Sequence, residues 1–137
     1  MSFGSCSMAQ FSIKINYGST TNIESLKVII KDFCEKRDWD QFHSPKDLAI
    51  GLSLEASEIL ELFRFKDEAE VNQKLQDPQF RTKLSHELAD VLFFLLRMSQ
   101  KYNFDLAESF LDKMKLNEQK YSVEKSKGSN KKYNEQA

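Results

Sequence analysis

Apolar residues recur every three to four positions over most of the chain, the period of α-helices that bury one side. The first such stretch runs from Asn22 to Arg37, with Ile23, Leu26, Ile29, Ile30 and Phe33 along one side. A polar and aromatic connector follows, Asp38-Trp39-Asp40-Gln41-Phe42-His43. Ser44-Pro45-Lys46-Asp47 reads as a helix start: a capping Ser, Pro at the first helical position, and an acid three residues after the cap. The spacing carries this second helix to about Phe65. A short third helix is predicted over Glu68–Gln76, and Asp77-Pro78 restarts the chain into a long helix reaching about Tyr102. Asp105 caps a last helix through roughly Tyr121. Residues 1–20 lack this period and form a Ser-, Thr- and Gly-rich leader, with an extended piece expected where Phe11–Ile15 alternates apolar and polar residues. From Ser122 on, Lys125, Lys127, Lys131 and Lys132 surround Gly128 in a basic tail expected to be mobile. The expected organisation is a leader over 1–20, a helical domain over 21–122 and a tail over 123–137. The fold class is all-α, a bundle of four to five helices.

Composition agrees with this pattern and narrows the partners. Only 4 Gly and 2 Pro in 137 residues are too few for a turn-rich all-β design. A net charge of −1 gives no bulk attraction to nucleic acid or to an anionic membrane surface. The longest apolar run, Val91–Leu96, is far short of the ~20 residues that span a bilayer. No signal peptide is legible, and Cys6 and Cys34 show no CxxC spacing, so a reduced, cytoplasmic protein is expected.

The chemistry lies in the placement of four acids. At ~100° per residue, Glu55 falls in the middle of the apolar stripe formed by Leu48, Leu52, Ile59 and Leu62. Glu87 occupies the same central place among Phe80, Leu84, Val91 and Phe94 on the long helix. Each is followed three residues later by a second acid on the same flank, Glu58 and Asp90. If both faces pack inward, four carboxylates converge in or near the core. An unpaired buried charge costs several kcal/mol, roughly, and like charges side by side add to that cost. Protonation, a buried Arg or Lys, or a divalent cation relieves it. A ferritin-like di-iron site would need Glu-x-x-His on two helices, and neither His43 nor His86 falls at that spacing. All-oxygen ligation favours Mg²⁺ or Mn²⁺, and Mg²⁺ commonly meets substrate phosphates.

At these residues the sequence resembles the MazG-like, all-α nucleoside triphosphate pyrophosphohydrolases. Their paired acid motifs are matched by Glu55-Ala56-Ser57-Glu58 and Glu87-Leu88-Ala89-Asp90. The likeness is greatest to the dCTP pyrophosphatase branch and extends over roughly Ile23 to Lys132. It includes Arg37-Asp38-Trp39-Asp40-Gln41-Phe42-His43, Leu60-Glu61-Leu62-Phe63, and Lys113-Met114 with Asn117, Lys120 and Tyr121. The resemblance implies Mg²⁺-dependent hydrolysis of a (deoxy)nucleoside triphosphate, dCTP or a related dNTP, to the monophosphate and pyrophosphate in nucleotide-pool sanitation. It implies that Glu55, Glu58, Glu87 and Asp90 hold the metal, and that one of them, or Glu61, accepts a proton from the attacking water. Lys113, Asn117, Lys120 and Tyr121 match positions that approach the substrate, and Lys125 is counted with them. Trp39 is either a core anchor or a surface on which a base stacks. His43 is either a base contact or a turn residue before the Ser44 cap. Phe94 borders the nucleotide or packs in the core. The chain has Phe65 where relatives of this branch often have Trp, and Phe94 where Tyr also occurs, so both lose a polar handle.

Two other functional classes remain open at this point: a helical interaction module whose acids pair with Arg64, Arg97 or lysines, and a nucleotide-sensing regulator. The apolar flanks Leu54, Leu60 and Phe63 and Leu92, Phe93 and Leu96 point away from the acids. They predict a homo-oligomer, a dimer or a tetramer built as a dimer of dimers, which the resemblance also implies.

Overall fold

The computed structural model describes residues 21–135; the leader and its Phe11–Ile15 stretch lie outside the described residues. Six α-helices and two 3₁₀ turns make up the ordered elements, with no strand among the described residues. The helices are α1 (Ile23–Glu35), α2 (Pro45–Phe63), α3 (Glu68–Lys74), α4 (Pro78–Tyr102), α5 (Leu106–Lys120) and α6 (Val123–Ser126).

Helix starts follow the caps. Asn22 and Ser25 exchange side-chain and backbone hydrogen bonds of 2.9 Å each at the head of α1. The Asp47 amide donates to Ser44 Oγ at 3.1 Å at the head of α2. Asp67, Asp77 and Asp105 cap α3, α4 and α5 in the same way. Helix ends follow backbone handedness. α4 stops at Asn103, whose φ of 56° is left-handed and tolerable for Asn. α2 stops two residues before the expected Phe65, because Arg64 leaves the helical region at ψ 134° and Phe65 then takes φ 59°. Phe65 therefore does not continue the helical wheel of Glu55. It is 90% exposed, with the Arg64 guanidinium 4.7 Å from its ring centre.

α2 and α4 pack antiparallel: Phe63, at the end of α2, meets Phe80, near the start of α4, with ring centres 6.0 Å apart. At the other end the Phe94 ring lies directly on Gly51, where any Cβ would collide with it. α1 lies against the later half of α4, burying Ile30, Cys34 and Leu96 with Leu26, Phe93 and Leu106 around them. Through Leu106, α5 joins this core. Phe93 and Leu96 are thus covered by α1 and are not part of an open flank, as the pattern alone suggested. Large apolar side chains nevertheless remain exposed: Leu54 and Leu60 on α2, Leu88 and Leu92 on α4, and Phe110, Leu111 and Leu116 on α5.

The basic stretch after residue 122 holds α6 and a 3₁₀ turn over Tyr133–Glu135. Tyr133 folds back edge-on to Tyr121 at 5.9 Å, and Lys120 Nζ sits 5.2 Å from the Tyr133 ring centre. No helix among the described residues is long and apolar enough to cross a membrane.

Candidate active site

The antiparallel pairing of α2 with α4 sets their two acidic motifs opposite one another. One carboxylate oxygen from each of Glu55, Glu87 and Asp90 lies within 4.8 Å of the others. Glu55 and Glu87 are half-buried and Asp90 is exposed. Glu58 is exposed and outside this tight group, but its charge reaches Glu55. Burial first, and then the charges of Asp90, Glu87 and Glu58, hold the Glu55 carboxyl above the usual range.

Among the described residues neither Arg64 nor Arg97 pairs with the cluster. Arg64 pairs with Glu61 at 2.6 Å on the exposed flank of α2, and Arg97 pairs with Asp40. Of the pairings that the interaction-module alternative offered, with Arg64, Arg97 or lysines, the two arginine pairings are therefore absent. Crowded oxygen donors to which neither Arg64 nor Arg97 pairs are the donor set that a hard divalent cation takes, so the residues fit such a cation. Glu61, engaged with Arg64, stands beside the cluster and not in it.

The connector between α1 and α2 forms a second group. Trp39 is 39% exposed, edge-on to Phe33 at 5.6 Å and to His43 at 6.3 Å. Arg37 covers the other aromatic surface, 3.6 Å from the Phe33 ring centre. Phe94 is half-buried against Gly51 and edge-on to Phe93 at 5.4 Å. Lys113, Asn117, Lys120 and Tyr121 lie along the later part of α5 and at its end, and Lys125 lies on α6. Among the described residues none of these five forms a hydrogen bond or ion pair with the four acids.

A network that the periodicity does not single out ties the connector to α4. Arg97 is 1% exposed, and its guanidinium donates to His43 Nδ1 at 3.0 Å, to Asp40 and to Gln100. Lys101 donates to the Asp40 carbonyl, and the Tyr102 hydroxyl donates to the His43 carbonyl at 2.9 Å. The Arg97 hydrogen bond holds the Asp40 carboxyl below its usual range. Burial, followed by the charges of Arg97 and Lys101, pushes His43 below the ordinary histidine range. The sequence carries one signal of this network: Arg97 follows directly on the run Val91–Leu96, where a charge needs a partner.

A family model described as MazG-like matches residues 50–135. The chain is 35% identical over 118 residues to dCTP pyrophosphatase 1 of Rattus norvegicus, covering 86% of this chain and 69% of that protein. It is 31% identical over 122 residues to dCTP pyrophosphatase 1 of Homo sapiens, covering 89% and 72%. The crystal structure of a pyrophosphatase from Archaeoglobus fulgidus superposes with a TM-score of 0.68 at 29% identity, over 77% of this chain and 97% of that one. With paired acidic motifs on two antiparallel helices, a matching family model over most of its length and relatives of this kind, the chain belongs to the MazG-like family of all-α nucleoside triphosphate pyrophosphohydrolases.

Proposed function

We propose that this chain hydrolyses dCTP or a related deoxynucleoside triphosphate to the monophosphate and pyrophosphate, with Mg²⁺ as the resident cation and Mn²⁺ as a substitute. The observation that carries this reading is the convergence of Glu55, Glu87 and Asp90, with Arg64 and Arg97 paired elsewhere. When bound, the divalent cation supplies charge neutralisation at the phosphates and a water acidic enough to ionise near neutral pH. Glu55, Glu87 and Asp90 hold it, with Glu58 at the edge of the group. A carboxylate of this group, or Glu61 beside it, accepts the proton of the water that attacks the α-phosphorus. Trp39 offers an aromatic surface to the base, with His43, Phe65 and Phe94 as further contacts. Lys113, Asn117, Lys120, Tyr121 and Lys125 reach the substrate from a neighbouring subunit. Among the described residues none of the five bonds to the acids within one chain, which supports that division. The exposed apolar side chains of α2, α4 and α5 support a homo-oligomer, a dimer or a tetramer.

A panel of ribo- and deoxynucleoside triphosphates with Mg²⁺ in ¹⁸O-labelled water tests the reaction. The expected products are pyrophosphate and a monophosphate that carries the label. Orthophosphate and a diphosphate as primary products would place attack at the γ-phosphorus and overturn the proposal. Nucleotide binding without turnover would move the chain to the sensing class.

A further inference from the structure

We propose that Arg97 is a positioning residue for the nucleoside half of the substrate: it holds the imidazole of His43 with Nδ1 as acceptor and Nε2–H turned out as a neutral donor. This rests on the triphosphate-hydrolase reading above. The hydrogen-bond inventory forces the tautomer. A guanidinium has donors only, so an Arg97 Nε–H that meets His43 Nδ1 at 3.0 Å requires Nδ1 to be bare, and the imidazole proton must sit on Nε2. Nε2 has no hydrogen-bond partner among the described residues, and no side-chain polar atom there is both buried and unpartnered. Nε2–H is therefore open to solvent, with its donor unused.

The groups around His43 keep it in this state. Arg97 and Lys101 both oppose a further positive charge on the ring, and Asp40, which would favour one, spends its carboxylate on Arg97. Tyr102 fixes the backbone of His43 through its carbonyl. All three anchoring side chains come from α4, the helix that also carries Glu87 and Asp90. Seven residues separate Asp90 from Arg97. At ~100° per residue that returns Arg97 to within about 20° of the same side, ~10 Å further along the axis. That length is comparable to the reach from an α-phosphate to the base and sugar edges of the same nucleotide. One helix thus carries both the clustered acids and, about two turns further on, the side chain that holds His43. The acceptor it takes is an oxygen or bare nitrogen of the nucleoside, not a phosphate oxygen.

Nitrogen-15 NMR of the histidines of the full chain tests the free state. The expected wild-type spectrum shows His43 with bare Nδ1 and protonated Nε2, staying neutral to below the ordinary histidine range. Addition of an α,β-imido dCTP with Mg²⁺ should shift the His43 Nε2–H signal, whereas inorganic triphosphate with Mg²⁺ should leave it in place. Arg97→Lys retains the charge but not the fork; it should raise KM about tenfold at nearly unchanged kcat and remove the fixed preference for a bare Nδ1 on His43 from the spectrum. Asp40→Asn, at an exposed carboxylate, should raise KM more weakly and, because the Asp40 charge favours the imidazolium, push His43 titration further down; it serves if Arg97→Lys does not fold. A protonated Nδ1 in the wild type, an equal shift with inorganic triphosphate, or an unchanged KM in the folded variants would overturn the inference. A wild type that neither binds nor hydrolyses any triphosphate takes down the function reading and this inference with it. An active wild type lacking these His43 signatures takes down this inference alone.

Discussion

Glu55 is under opposing demands: its position on the apolar face desolvates it, and three other acids face it. Replacing it with Gln keeps the shape and removes the charge. Glu55→Gln and Asp90→Asn should each lower turnover more than ~100-fold, since even partners behind a ligand are worth 10–100-fold. Without metal the same variants should be at least as stable as the wild type, because one repelling charge is gone. The pH dependence has a definite sign. Glu55 binds its proton more tightly folded than unfolded, so ionising it costs stability as pH rises through its raised pKa. In chelator, the advantage of Glu55→Gln over wild type in urea midpoint should therefore shrink as pH falls from about 7 toward about 4.5. A constant gap across that range would contradict the clustering. The pair at His43 behaves oppositely: its lowered pKa means stability is lost as pH drops below about 6.5. The acids were legible because Glu55, Glu58, Glu87 and Asp90 sit at helical spacing, a local signal. The Arg97–His43 bond joins residues 54 apart and the Arg97–Asp40 pair joins residues 57 apart, separations that no periodicity encodes.

At the scale of elements, caps located helix starts well: Ser44, Asp77 and Asp105 all open helices where their sequence signals fall. Ends were less legible, because the left-handed turn at Phe65 has neither Gly nor Asn to announce it. Removing a cap has a known scale: Ser44→Ala should cost about 0.5–2 kcal/mol in chemical denaturation. Gly51 shows how two elements constrain one another. Inside a helix Gly→Ala ordinarily gains up to about 1 kcal/mol. Here the added Cβ meets the Phe94 ring, and overpacking of this kind costs about 1–3 kcal/mol. Gly51→Ala should therefore lower the urea midpoint and rotate Phe94 off its perch; a stabilised variant would show that the two helices part easily at that end.

Few apolar side chains are buried, namely Ile30, Cys34, Leu48, Leu62 and Leu96 among the described residues. Against that short set stand Leu60 at 70% exposure, Phe110 at 65% and Leu111 at 60%. Uncovered apolar surface of this extent is what the proposed homo-oligomer would hide. Light scattering should therefore give a multiple of the 16.0 kDa chain mass. Activity should fall on dilution, and Leu60→Glu combined with Phe110→Glu should shift the mass downward. A fully active single chain at micromolar concentration would count against assembly and leave the acidic cluster untouched. The sequence pattern gave the apolar flanks but not which of them α1 covers, since that depends on how helices distant along the chain dock.

The seam between α1 and α4 also contains a clock. Cys34 is fully buried there, and burial pushes its thiol above the ordinary range, so it is sheltered from alkylating reagents while α1 stays docked. Its backbone carbonyl accepts from the amides of Arg37 and Trp39 at 3.1 Å each, so the helix end and the Trp39 connector are fastened at the same residue. In a Cys6→Ser background, the rate of Cys34 labelling then measures how often this corner of the molecule breathes open. A nucleotide that grips the connector should slow the clock.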